Sequence, residues 1–207
     1  GRAGAYQDGQ GGGVSMTRTA PETMEQSDVI VLLQAQHGMI RDLFDEVERA
    51  PAERRGEAFG RLVRLLAVHE TAEEEIVHPY ARGRIDGGDA VVDDRLAEEN
   101  EAKELLSRLD EDGPDAADFL ERLLVLRGAV EAHARSEERY EFLQLRAHTT
   151  EAERRSMAAG VKAAEAMAPT HPHPGTESAT KNVLVGTPMA MMDRVRDVIR
   201  QTMGKNP

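Results

Sequence analysis

The chain of 207 residues has no cysteine and no tryptophan, and only four Phe and three Tyr. Without Cys there is no disulfide framework, no thiolate nucleophile and no thiolate metal site, so any metal must be held by imidazole and carboxylate. With aromatics at 3%, the core has to be built from Leu, Val, Ile, Ala and Met, which suits helix packing better than a sheet sandwich. No apolar run is long enough to span a bilayer, and the N-terminus lacks a basic segment followed by an apolar one. A cytoplasmic protein is expected. Basic residues are also short, 26 Lys and Arg against 38 Asp and Glu for a net charge of −12. They are interleaved with Glu instead of clustered, which argues against nucleic-acid or anionic-membrane binding.

What is present is enough for one folded domain with tails, since 40% of the residues are hydrophobic and 31% charged. Residues 1–26 read as a disordered tail, Gly-rich as far as residue 15, with Met16 as the natural start. A first helix is predicted from an N-cap at Ser27 or Asp28 to about Arg49, closed by Ala50-Pro51. A second runs from about Glu53 to Arg82, with a kink or early end expected at Pro79. A third spans about Asp89 to Asp110 and a fourth about Asp115 to Ala147, separated by Gly113-Pro114. Short connections make these antiparallel neighbours, so the expected fold is all-α, an up-down-up-down four-helix bundle over residues 27–147. Residues 148–207 form a C-terminal helical appendage. It holds a short helix at Glu151 to Met167 and an amphipathic one at Pro188 to Met203, with Met189, Met192, Val195 and Ile199 facing the bundle or a partner chain. A monomer or homodimer fits this plan.

Each of the four bundle segments carries an apolar stripe at alternating three- and four-residue steps, interrupted near its middle by His or Glu. The stripes run from Ile30 to Val47, Phe59 to Tyr80, Val92 to Leu109 and Phe119 to Tyr140. Such steps keep residues on one side of a 3.6-residue helix, so His37, His69, Glu73, Glu99, His133 and Glu137 all face the expected core. Ionised carboxylates among Leu and Ile are strongly unfavourable unless compensated. A metal centre supplies the compensation; buried His–Glu hydrogen bonds without metal are the alternative. His69-x-x-x-Glu73 and His133-x-x-x-Glu137 are matching pairs one turn apart, able to grip one centre. Glu74 and Glu138 are rotated about 100° off the stripe. At about 1.5 Å rise per residue, all six residues fall within a few turns of one level. His69-Glu70-x-x-Glu73 lacks the second His of the zinc-protease pattern, and only one Glu-x-x-His pair, Glu75 to His78, is present, whereas ferritin-type di-iron sites need two. His78 beside Pro79 reads as a surface or helix-end residue, with approach to the centre as the alternative, His148 as a helix end, and His171 and His173 as parts of a Pro-punctuated crossing.

On these residues the chain resembles the hemerythrin-like family, also described as HHE cation-binding domains, over about residues 27–147. The resemblance implies a four-helix bundle holding two non-haem irons, oxo- or hydroxo-bridged, in preference to zinc. It carries the family's first-helix His onto His37, its second-helix His-x-x-x-Glu onto His69 and Glu73, and its fourth-helix His and carboxylate onto His133 and Glu137. Oxygen-carrying members have two His four apart on the third helix, where this chain has Glu99 and Lys103. A carboxylate there adds negative charge and favours ferric iron, so reversible oxygen carriage is not expected. Six protein ligands cannot fill two six-coordinate irons, leaving positions for dioxygen, peroxide or nitric oxide. Tyr80 and Tyr140, at the ends of their stripes, are candidates to hydrogen-bond an iron ligand, with core packing the alternative role for at least one of them. The leading expectation is a di-iron protein that reacts with peroxide or dioxygen, with catalase-like disproportionation as a protective activity. The alternatives are a protein that senses dioxygen, nitric oxide or iron without turnover, and a structural bundle holding zinc.

Overall fold

The computed structural model describes residues 28–167 and 187–204, all helix, turns and short connections without a strand. Helix α1 (Val29–Arg49) starts where the Asp28 carboxylate accepts from the Ile30 N–H at 2.9 Å, and stops at Ala50, whose extended backbone precedes Pro51. The second rod comprises α2 (Ala52–Ala72), a π-helical turn (Glu73–Val77) and α3 (His78–Arg84). Pro79 does not end it; it lies in the first turn of α3, where a missing N–H is tolerated. Gly87, at φ 69°, turns the chain into α4 (Gly88–Asp112). The fourth rod begins later than Asp115, because residues 114–118 form turns after Gly113-Pro114. It comprises α5 (Phe119–Ser136), a second π turn (Glu137–Glu141) and α6 (Phe142–His148). Helices α7 (Glu151–Met167) and α8 (Pro188–Thr202) follow.

Helix α1 packs on α2 and α5, and α4 on α3 and α5, while α7 and α8 lie against α2. The core divides into two main apolar layers. One, built around Phe44, Phe59, Leu66, Leu106 and Leu126, receives Met191 and Met192 from α8. The other, around Leu33, Val68, Ile76 and Phe142, receives Met157 and Val161 from α7, and Val195 and Ile199 from α8. The buried face of α8 differs from the expected one at one position: Met191 is inside, and Met189 is 46% exposed. His37 falls between Leu33 and Ile40, His69 between Leu66 and Ile76, and His133 between Val130 and Phe142. The polar residues therefore form a belt between the two layers. The 1–26 tail, Met16, His171 and His173 lie outside the described residues.

Candidate metal centre

Up to Glu73 and Glu137, the second and fourth stripes are buried as the three-four spacing predicts. Both rods then change step at the same place. In each, a π turn begins at the Glu that follows its His by four, and its closing hydrogen bond runs from His78 N–H to Glu73 O or from Phe142 N–H to Glu137 O. Pro79 follows the first turn but no proline follows the second, so proline is not the common cause. The shared feature is a carboxylate facing the polar belt, and π turns inserted in helices are frequent at functional sites.

The shift of step decides between alternatives for three residues. Tyr140 is carried outward and is 65% exposed, while its neighbour Glu141 takes the buried place. Tyr80 is half-buried against the second apolar layer, with the Arg84 guanidinium 5.8 Å from its ring centroid, so it packs and does not enter the belt. His78, the first residue of α3, is not on the surface but approaches the centre, the alternative that its place beside Pro79 left open. It is 2% exposed, with Nε2 2.6 Å from Glu99 Oε1 and Nδ1 3.0 Å from Glu141 Oε1.

The six residues singled out by the stripes are drawn together. Glu73 reaches His69 Nε2 at 3.3 Å through Oε1 and His133 Nε2 at 3.6 Å through Oε2. Glu137 mirrors it, reaching His37 Nε2 at 3.2 Å through Oε2 and His133 Nε2 at 3.5 Å through Oε1. Glu99 Oε1 lies 3.9 Å from His133 Nε2. Two groups of potential ligands result, His37, His69, Glu73 and Glu137, and Glu70, Glu73, Glu99 and His133, with Glu73 common to both. Glu70 is an addition, because the stripe passed it by. The Nε2 atoms of His37 and His133, both oxygens of Glu73 and Glu137, and one oxygen each of Glu70 and Glu99 are buried without a hydrogen-bond partner among the described residues. Buried polar atoms are rarely left so. A carboxylate–imidazole donor set with its lone pairs turned inward fits a pair of cations.

Around this set, each imidazole is held from behind. His37 Nδ1–H donates to Glu138 at 2.7 Å, His69 Nδ1–H to Gln36 at 2.8 Å, and His133 Nδ1–H to Glu98 at 3.0 Å. Fixing Nδ1 in this way aims Nε2 at the centre, as metal-ligating histidines require. Glu138 is thus off the stripe, as expected, yet tied to the centre through His37. Glu74 pairs with Lys103 and Arg196, and Glu75 with Arg196 and Arg200, so the first π turn is clamped from outside by α8.

The crowding of charge is visible in the proton affinities of the metal-free protein. Burial, reinforced by the Glu137 charge, pushes Glu73 well above the usual carboxylate range. Burial would raise Glu137 too, but His133 and His37 outweigh it and hold Glu137 well below that range. Burial, aided by the His37 charge, pushes His69 down. Burial takes Glu99 up to about 7, although His78 opposes it. A narrow cavity reaches this region, with His37, His69, Glu70 and His133 on its inner wall and Arg41 and Glu131 farther out.

A helical bundle with a buried imidazole–carboxylate belt is a cation-binding architecture. The Hemerythrin HHE cation binding domain model matches residues 28–167, and the chain belongs to that family. The crystal structure of a Hemerythrin HHE cation binding domain-containing protein from Mycobacterium kansasii matches with a TM-score of 0.60, covering 84% of this chain and 98% of that one; at 18% identity the likeness is one of fold. A protein named DNA nickase from Nostoc sp. is 26% identical over 155 residues, 74% of this chain and 44% of its own length. The chain therefore spans less than half of that relative.

Proposed function

We propose that the centre holds two non-haem irons and reacts with hydrogen peroxide or dioxygen, with disproportionation of peroxide as a protective activity in the cytoplasm. The observation that carries this reading is the double reach of Glu73 and Glu137, each of which faces imidazoles on both sides of the centre. Carboxylates so placed suit a dinuclear site of mixed N and O donors better than one tetrahedral zinc. Bound irons would supply the redox equivalents, so that one peroxide is reduced to water and another oxidised to dioxygen. The protein's own part is positional. His37, His69 and His133 present Nε2, Glu73 and Glu137 would hold two cations between them, and a narrow cavity lies beside them. Glu70 lines that cavity with a partnerless Oε2, placed to take a proton from an entering peroxide and to return it. Iron-loaded protein should evolve oxygen from peroxide faster than the same amount of free iron. No excess oxygen, or one tightly bound zinc with no iron uptake, overturns the reading.

Sensing of dioxygen, nitric oxide or iron without turnover is favoured by one observation, the ion pairs from Arg196 and Arg200 of α8 to Glu74 and Glu75, next to Glu73. That reading expects no oxygen evolution, together with a change in amide protection of α8 between the ferrous and ferric forms.

A further inference from the structure

The belt contains a fourth imidazole, held at Nδ1 like the other three but with its Nε2 already hydrogen-bonded to Glu99. In His37, His69 and His133, an oxygen outside the centre holds Nδ1 and leaves Nε2 facing the buried carboxylates. His78 repeats the pattern, with Nδ1 on Glu141 at 3.0 Å and Nε2 on Glu99 at 2.6 Å. The π turn brings it there. Five residues of α-helix turn through about 500°, which would point His78 roughly 140° away from Glu73. The π turn instead closes over those five residues, as the His78 N–H to Glu73 O hydrogen bond records, and sets His78 back on the Glu73 side. In the second π turn the same place is taken by Phe142, which stacks on His37 at 5.8 Å. Only the first turn delivers an imidazole.

The two sides of the centre are otherwise unequal. His37 and His69 serve one, with ring centroids 4.8 Å apart, whereas His133 alone serves the other beside Glu70 and Glu99. Helix α4 brings no imidazole to that side, and its Lys103, 3.7 Å from Glu99 Oε2, is already paired with Glu74. Glu99 Oε1 stands between His78 Nε2 and His133 Nε2, and Glu99 Oε2 and Glu141 Oε2 have no hydrogen-bond partner among the described residues. We propose that His78 is a metal ligand through Nε2, joining Glu99 and His133 on the second side of the centre, with Glu141 fixing its tautomer. This rests on the reading of a dinuclear centre and extends its donor set to four imidazoles.

Cobalt(II) tests this without reliance on activity. In the full chain loaded with cobalt, each imidazole ligated through Nε2 yields one strongly shifted, solvent-exchangeable Nδ1–H proton resonance. Four such signals are expected, with two cobalt ions per chain, and His78→Gln should remove one of them and weaken retention of one ion. Three signals with two ions bound overturn the assignment of His78 while leaving the dinuclear reading intact. No cobalt and no iron uptake by the wild-type chain overturns both. The wild-type count decides the matter even if His78→Gln does not fold, and an unchanged spectrum in a folded His78→Gln protein refutes the proposal independently.

Discussion

Replacing Gln36 by Leu should weaken metal binding from a position that never touches the metal. Gln36 is fully buried; its Oε1 accepts from His69 Nδ1–H at 2.8 Å and its Nε2 donates to Glu165 Oε1 on α7 at 2.7 Å. Leu fills a similar volume but makes neither bond. Glu165 is half-buried and regains water, so its loss is small. The His69 Nδ1–H is buried and left unsatisfied, which costs about 1–3 kcal/mol in the metal-free protein. With the ring free to rotate, Nε2 is no longer aimed, and loss of such an outer partner typically lowers metal affinity about 10–100-fold, or about 1.4–2.8 kcal/mol. Urea unfolding in the presence of chelator reads the first quantity, and competition against a chromophoric chelator reads the second. If stability falls while affinity stays within about twofold, the Gln36 hydrogen bond serves folding alone, and the argument that it aims His69 is wrong.

Glu73→Gln should move the two quantities in opposite directions: it removes a carboxylate facing both His69 and His133 and so lowers metal uptake. It also relieves crowding with Glu137 and raises metal-free stability, and a fall in that stability would contradict the charge argument. Reversing Arg196 and Arg200 to Glu should free α8 from Glu74 and Glu75, seen as faster proteolysis within 188–202, while Glu73 keeps its place and metal content changes little. At the start of α7, the Thr150 N–H and hydroxyl, then Arg84, hold Glu153 below its ordinary value of 4.5. A lowered folded-state pKa stabilises above the unfolded value and is lost as pH falls through the lowered one. The first turn of α7 should therefore loosen in acid below about pH 4.5, measurable as lost amide protection that Glu153→Gln shows already at neutral pH.

The family and the level of the polar belt were legible in the sequence because apolar period and ligand spacing coincide. From Ile30 to Val47, and from Phe59 to Glu73, one face is apolar except where His or Glu is required, and burial follows that phase. The phase failed just beyond Glu73 and Glu137. A single inserted residue rotates everything downstream by about 100°, which sends Tyr140 to solvent and brings Glu141 and His78 inside. The outer partners Gln36, Glu98 and Glu138 were illegible for a different reason. They sit off the stripes and reach the imidazoles across helix boundaries, a relation that no spacing within one helix encodes. One trace of the π turns does remain in the chain itself. Both rods repeat His-x-x-x-Glu-Glu, and in both a buried side chain stands five residues after the first Glu, His78 in one and Phe142 in the other, with Glu141 also buried just before Phe142. An α-helix could not bury both that Glu and that fifth residue on one narrow face. A step of five after a core carboxylate is thus a physical signature of a π turn, and it becomes visible at His78 only once burial is known, because the sequence alone does not say which of residues 76 to 80 lie inside.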